Sequence, residues 1–126
     1  MPVIAATSPT DCFECAYAAS KMALEHMTPV VLMTDAFIAN GSAAWKLPNL
    51  AEYPAINPPY VQPEMKESWT PYQRNEETGV RYWAIPGTEG FTHILGGLEK
   101  DNKTGAISTN PENHHLMTQL RQQKIE

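Results

Sequence analysis

An apolar run near the start of the chain constrains the fold more than any other feature of the sequence. Val30–Thr34 (VVLMT) lies between a proline and an aspartate, at the head of the segment 28–45. A run of this length, bounded by a breaker and a charge, predicts a strand that is buried on both faces, as in parallel sheets. The chain then turns small and polar at Asn40-Gly41-Ser42, which predicts a turn with exposed backbone.

The end of this strand is the position where α/β proteins usually bind ligands. Asp35 follows the strand directly and is a candidate either to ligate a metal or position a substrate, or to cap the turn at Ala36–Ala39. Asn40 and Ser42 are further candidates for the loop that leaves the strand. This location alone specifies no chemistry.

The first third of the chain reads as one βαβ unit. Pro2–Ala6 is a short strand, and Ser8, Pro9 and Asp11 form a helix-start signal: an N-cap, a proline at the first helical position and a capping box. The predicted helix runs to Met27 and carries a stripe of small residues for packing on a sheet. The members of this stripe are Cys12, Ala16, Ala19 and Ala23. A strand, a helix and a strand within 33 residues indicate a parallel crossover.

Two strands that are buried on both faces need more cover than this chain supplies. The later sequence holds no second βαβ pattern. The sheet is therefore expected to be completed by another chain or by the rest of a larger protein, with the second alternative favoured.

The middle of the chain is irregular. Trp45–Tyr82 is rich in proline and in aromatic residues, a composition that favours an extended arm with aromatic anchors on another surface over disorder. Val80–Ile85 is a short strand candidate, and Lys100–Gly105 is a polar turn. Asn110-Pro111 begins a second helix, which runs to the end of the chain.

Composition narrows the class of protein. Nine basic and fourteen acidic residues give a net charge of −5 without a basic cluster, which argues against a nucleic-acid partner. No apolar run approaches the ~20 residues of a membrane span. The start of the chain lacks the pattern of a signal peptide. The expected location is the cytoplasm.

Few residues suggest chemistry on their own. Cys12 and Cys15 form a C-x-x-C motif, but a cap at Ser8 would put Cys12 a turn inside the helix, so packing is the favoured interpretation. The histidines show no metal-ligand spacing. His93 is kept as a candidate because it lies in a glycine-bearing loop after the predicted strand. Gly87–Gly90 lacks the pattern of a phosphate loop and indicates turns.

Many short motifs in order resemble the alpha subunit of 2-oxoacid:ferredoxin oxidoreductases, closest to the 2-oxoglutarate type. The resemblance covers essentially the whole chain. It is carried by Ser8-Pro9-Thr10-Asp11-Cys12-Phe13, Thr28–Asp35, Asn40-Gly41-Ser42, Trp45, Pro71-Tyr72, Trp83–Thr88, Gly96–Glu99, Gly105, Asn110-Pro111, His114, Met117, Arg121 and Lys124.

This resemblance implies a fold and an enzyme. The fold is a partial pyrimidine-binding domain of the thiamine diphosphate type, with a long proline-rich extension and a C-terminal helix. The enzyme decarboxylates a 2-oxoacid such as 2-oxoglutarate or pyruvate, passes the acyl group to coenzyme A and passes electrons to ferredoxin. Thiamine diphosphate and magnesium are expected at the interface with a beta subunit, which also carries the iron–sulfur cluster; this chain has too few cysteines to hold one.

The resemblance also implies a partial chain. The family's catalytic glutamate and its substrate-contacting arginine and threonines lie upstream of what matches Pro2, and Ala36 stands where glycine is expected. The predicted parts are 1–45 (end of the pyrimidine domain), 46–109 (connecting region) and 110–126 (helix toward a following domain). The isolated chain is expected to be inactive and to bind no cofactor or metal alone. The alternatives are a non-catalytic assembly module and a small CxxC redox protein.

Overall fold

The computed structural model describes all 126 residues, which form two compact units, Met1–Pro58 and Pro59–Glu126. The first unit holds two strands and two helices, and the second is mostly irregular with one long helix. The three-part division at residues 45 and 109 stays a prediction. The elements are β1 (Val3–Ala5), α1 (Asp11–Glu25), β2 (Val31–Met33), α2 (Ala36–Asn40), two 3₁₀ turns (Leu50–Glu52 and Pro63–Met65) and α3 (Pro111–Gln123).

The expected βαβ unit is present in the first unit. β1 and β2 pair in parallel, with Val3 opposite Val31 and Ala5 opposite Met33. Backbone hydrogen bonds extend the ladder at both ends, from Val31 N–H to the Pro2 carbonyl at 3.0 Å and from Ala6 N–H to the Met33 carbonyl at 3.1 Å. Since parallel strands need a long crossover, α1 is the element that makes this pairing possible.

The prediction that both strands are buried on both faces is wrong within this chain. All three residues of β2 are exposed, and Met33 is 55% exposed. The reason is geometric: α1 packs on both strands, but no second helix and no third strand covers the rest of this two-stranded sheet. The apolar side chains of β2 are thus only partly covered by this chain.

Helix α1 begins two residues later than the predicted first position, Pro9. One half of the expected capping box forms, because Ser8 Oγ accepts the Asp11 N–H at 3.2 Å. The Asp11 carboxylate does not return to Ser8. It accepts the Thr7 N–H at 2.8 Å and the Thr7 hydroxyl at 2.9 Å, and these bonds lower the pKa of Asp11. Pro9 and Thr10 form a turn before the helix begins.

The end and the buried face of α1 also differ from the prediction. The helix ends at Glu25, and Met27 adopts a left-handed φ of 44°. The Thr28 N–H reaches back to the Ala23 carbonyl at 3.2 Å, the long bond of a Schellman cap. Cys15 and Ala19 are the buried residues of the helix, whereas Ala16 is exposed. The packing stripe is therefore rotated from the predicted one.

Aromatic residues of the proline-rich segment anchor on α1 within the first unit. The ring of Phe13 lies 5.6 Å from that of Trp45 and 5.8 Å from that of Tyr53, and Tyr17 lies 4.8 Å from Tyr53. The Tyr53 hydroxyl donates to Glu14, and this bond raises the pKa of Tyr53 to about 12. Helix α1 thus provides part of the surface on which the aromatic residues of the proline-rich segment anchor.

The core of the second unit is small and lies around Val80, Phe91 and Met117, which are 4%, 5% and 2% exposed. The prediction of a strand at Val80–Ile85 is wrong. The structure has only isolated bridges there, which join Arg81 to Arg74 and Trp83 to Tyr60. Prolines and turns on either side leave no second strand long enough to continue a ladder.

A tight turn at Asn75–Gly79 sets the geometry next to this core. Asn75 Oδ1 accepts the N–H groups of Glu77 and Thr78 at 3.0 and 2.9 Å, and Gly79 has a φ of 65°. The Asn75 N–H donates to the Val80 carbonyl at 2.8 Å. The turn consequently places Arg74 and Arg81 directly opposite each other.

Helix α3 confirms the predicted helix start. Pro111 occupies the first turn, and Asn110 Oδ1 accepts the N–H groups of Glu112 and Asn113 at 2.7 and 3.1 Å. Met117 is the buried residue of the helix. None of the helices in the structure has the length and apolar character that a membrane span needs.

The cap of α3 gives a first prediction. Because Asn110 satisfies two helix N–H groups, Asn110→Ala should lower the free energy of unfolding by about 1 kcal/mol. Urea unfolding followed by circular dichroism would measure this. Asn110→Asp should retain most of the stability, and Gln119→Ala, on the exposed face of the same helix, should stay within about 0.5 kcal/mol. Equal effects at positions 110 and 119 would contradict the cap.

Candidate functional site

Three of the four predicted candidates lie together where β2 ends. Asp35 is the N-cap of α2, and its Oδ1 accepts the Ile38 N–H at 2.7 Å. Asn40, the last residue of α2, donates from its side chain to the Ala36 carbonyl at 2.8 Å. Ser42 is exposed in the following loop. The structure thus uses Asp35 and Asn40 to shape the loop.

Large apolar side chains surround these polar residues along the sequence. Phe37 is 86% exposed, Leu47 79% and Leu50 70%, and both Met33 and Trp45 are about half exposed. Soluble proteins seldom leave so many large apolar groups of one segment in water unless they meet another surface. Segment 31–50, which we call the exit segment of β2, has the character of an interface.

His93 belongs to the second unit and is described by itself. Its ring lies 5.0 Å from that of Trp69, edge to face at 73°, and Nδ1 lies 2.7 Å from the Phe91 carbonyl. A ring nitrogen that faces a carbonyl carries the proton, so Nε2 is the acceptor when the imidazole is neutral. Packing and this bond together fix the ring in one orientation.

The C-x-x-C motif stands at the start of α1, so the reason given above against a redox role, that Cys12 lies a turn inside the helix, is wrong. Cys12 is the second residue of the helix. The packing interpretation is nevertheless supported by Cys15, which is 8% exposed and whose pKa is raised, first by burial and then by Asp11. Both cysteines are free thiols, directed at the carbonyls of Ser8 and Ala5.

The remaining sequence candidates have local roles. His114 Nδ1 lies 2.7 Å from Glu99, which also meets Arg121 at 3.5 Å, and these contacts lower the pKa of Glu99, with His114 the larger cause. Gly87 and Gly90 have φ values of 94° and 85°, as turn-forming glycines do. The structure contains no group of three or more His, Cys, Asp or Glu side chains that could hold a metal ion.

These features define an α/β chain built on a parallel βαβ unit, with a loop-rich second unit. The chain matches the family model of the pyruvate flavodoxin/ferredoxin oxidoreductase thiamine diphosphate-binding domain over residues 1–113. This match covers most of the chain, and the chain belongs to that family. The predicted resemblance and the predicted fold class are confirmed.

Two relatives narrow the family. The chain is 47% identical over 124 residues to the 2-oxoglutarate oxidoreductase subunit KorA of Mycobacterium tuberculosis (strain ATCC 25618 / H37Rv), which covers 98% of this chain and 19% of the relative. It also matches the structure of 2-oxoglutarate:ferredoxin oxidoreductase from Magnetococcus marinus, which has 2-oxoglutarate, coenzyme A and succinyl-CoA bound. That match has a TM-score of 0.80 and 25% identity, and covers 97% of this chain and 21% of the other.

The chain therefore spans about a fifth of the length of the relatives it matches. A bound thiamine diphosphate needs oxygen ligands for its magnesium ion. At the exit segment Asp35 is the acidic side chain available, and one of its oxygens already accepts the Ile38 N–H. The residues at the end of β2 do not fit the complete cofactor site.

The capping role of Asp35 gives a second prediction. Asp35→Ala should increase the hydrogen-exchange rate of the Ile38 amide about fivefold, since a hydrogen bond of about 1 kcal/mol is lost. Asp35→Asn keeps an acceptor and should change the rate less. Ser42→Ala is the matched control in the same loop. An unchanged rate at Ile38 in Asp35→Ala would show that the carboxylate does not cap α2.

The buried thiol gives a third prediction. In Cys12→Ser, the remaining Cys15 should react with iodoacetamide at pH 8 at least about tenfold more slowly in the folded chain than in urea, because burial and a raised pKa both suppress the thiolate. Mass spectrometry of the alkylated protein measures the rate. Similar rates in both conditions would contradict the burial of Cys15.

The same thiol affects stability with a defined sign. The folded state holds the Cys15 proton more tightly than the unfolded state, so its contribution to stability is present below the ordinary pKa of the thiol. That contribution is lost as the pH rises through the folded-state pKa. Cys15→Ser should remove this alkaline loss in urea unfolding experiments, whereas Cys12→Ser should retain it.

Proposed function

We propose that this chain is a functional part of the alpha subunit of a 2-oxoglutarate:ferredoxin oxidoreductase. The whole enzyme would decarboxylate 2-oxoglutarate oxidatively with thiamine diphosphate, form an acyl-CoA and pass electrons to ferredoxin in the cytoplasm. The observation that carries this proposal is the 47% identity over 98% of the chain to a 2-oxoglutarate oxidoreductase subunit. The structural match to an enzyme with the same oxoacid in its name agrees with it.

The cofactors of the whole enzyme belong mainly to other parts of the assembly in this proposal. Magnesium and the diphosphate would lie at the contact with a beta subunit, and an iron–sulfur cluster would lie within that subunit. Two facts support this division: the residues of the exit segment do not complete a magnesium site, and the chain has two cysteines whereas a cluster takes four. The isolated chain would accordingly show no turnover.

We also propose a role for the four candidate residues. Asp35, Asn40 and Ser42 would hold the exit segment of β2 in the shape that meets the rest of the enzyme, and His93 would do the same for its loop. The support is that Asp35, Asn40 and His93 each make a local hydrogen bond to the backbone, and that the exit segment presents Phe37 and Leu47 to solvent. None of the four is proposed to act on substrate.

A non-catalytic assembly module is the second candidate, and the exposed β2 strand favours it as much as it favours the enzyme. Such a chain would bind the remaining parts of the enzyme without restoring activity. The redox-protein alternative has no support from Cys15, because the raised pKa of this buried thiol opposes formation of its thiolate. Cys12, the second residue of α1, would be the attacking thiol of such a protein.

A fourth prediction tests the proposal in the mycobacterial relative. This chain replaces the matching 124-residue segment of the KorA subunit, and the chimera is expressed with its partner subunits. The chimera should reduce ferredoxin in a reaction that depends on 2-oxoglutarate and coenzyme A, within about tenfold of the parent rate, or about 1.4 kcal/mol. The purified 126-residue chain should show no turnover. Assembly without activity would favour the assembly module.

Two variants of the chimera test the interface. Phe37→Asp, in the exit segment, should prevent co-purification of the partner subunits, because a charge is then buried against an apolar surface. Gln119→Glu on α3 also adds a negative charge at an exposed position and should leave co-purification intact. If both variants assemble as well as the parent, the exit segment is not an interface.

A further inference from the structure

A cavity in the second unit has no role in the proposed function. It has a volume of about 400 Å³, within the range of pockets that hold small ligands. Its walls carry hydrogen-bond donors and two cations, and no carboxylate lines it. The polar lining residues are Ser68, Thr70, Tyr72, Gln73, Arg74, Asn102 and Lys103.

Arg74 lines this cavity, and it has no acidic partner. One guanidinium nitrogen donates to the Tyr72 carbonyl at 3.3 Å, and the other lies 3.9 Å from the Met117 sulfur, which is a weak acceptor. No ion pair in the structure involves Arg74 or Arg81. A half-buried guanidinium without a carboxylate partner is stabilised when an anion binds next to it.

Neighbouring cations add to the positive charge around Arg74. The guanidinium carbon of Arg81 lies 4.2 Å from the centre of the Tyr72 ring, and that of Arg74 lies 5.9 Å from the same centre. Burial lowers the pKa of Arg74, and the charge of Arg81 lowers it further. Burial, Arg81 and Arg74, in that order, lower the pKa of Lys124. This concentration of positive charge occurs in a chain whose net charge is −5.

None of the chain's acids forms an ion pair with Arg74 or Arg81. Glu76 and Glu77 lie in the adjacent turn and line a second cavity together with Arg74 and Lys124, but neither forms an ion pair with Arg74. The Asn75 side chain instead holds this turn closed by accepting the Glu77 and Thr78 N–H groups. The Arg74 guanidinium is therefore open to an external anion, whereas Lys103 also has the Asp101 carboxylate nearby.

We propose that this cavity binds a small phosphate-bearing molecule. The planar fork of Arg74 suits a phosphate group, Lys103 supplies a second charge, and the hydroxyls of the lining donate to further oxygens. A phosphate offers more acceptor oxygens and more charge than a carboxylate, so it satisfies more of these donors. The site goes beyond the proposed function, and no part of that function depends on it.

Isothermal titration of the 126-residue chain with inorganic pyrophosphate at low ionic strength tests the site. Arg74→Met should weaken binding about tenfold or more, as expected for loss of a charge-assisted contact. Lys103→Gln should weaken it less, because Lys103 is exposed. Lys66→Gln is the matched control, since it removes a cation of the same unit that does not line the cavity.

The outcomes separate the site from general electrostatics. Pyrophosphate bound at least tenfold more tightly than malonate, with Lys66→Gln unchanged, supports the proposal. Equal affinity for malonate, or equal losses in Lys66→Gln and Lys103→Gln, overturns it. If Arg74→Met does not fold, the exposed Lys103→Gln retains the test. Tighter binding of ADP than of pyrophosphate assigns the rest of the cavity to an organic group, and equal binding limits the site to the free anion.

Discussion

The parallel pairing of β1 with β2 is the constraint on which the first unit depends. Two strands joined by one helix can form a ladder, but one helix covers only one face of it, and both outer edges of the ladder have no strand beside them. The apolar residues Val31, Leu32 and Met33 are consequently exposed in the chain. In the proposed function other parts of the enzyme would bury them, and the matched relatives are about five times as long as this chain.

The helix between the strands has two partners instead of one. One side packs on the strands through Cys15 and Ala19, and the start of the helix presents Phe13 and Tyr17 to the aromatic residues of the proline-rich segment. The edge-to-face contacts of Tyr53 with Phe13 and Tyr17 are worth about 0.5–1.5 kcal/mol each beyond area burial. This double use explains why the packing stripe could not be read from alanine spacing: Ala16 lies on neither surface and is exposed.

Local structure that depends on a few neighbouring residues could be predicted from the sequence. Asn110-Pro111 specifies the start of α3 by itself, because proline and a side-chain acceptor both act within one turn. The start of α1 was harder to predict, because the Asp11 carboxylate accepts hydrogen bonds from Thr7 and not from the Ser8 N–H of the expected capping box. At Val80–Ile85 the sequence favoured a short strand, but a strand needs a partner, and only Arg74 and Tyr60 bridge to this segment.

No known motif marks the pair of cations at Arg74 and Arg81, but a turn signal between them in the sequence predicts that they lie together. Arg74 and Arg81 are seven residues apart in sequence, but Asn75 and Gly79 form a turn between them that reverses the chain and brings the two arginines together. Two cations held opposite each other by backbone bonds repel, and the Tyr72 ring offsets only part of this repulsion. A fold that keeps this arrangement without an acidic partner gains most from an anion that binds to the folded state. The turn therefore links the local chemistry of asparagine and glycine to the ligand preference of the second unit.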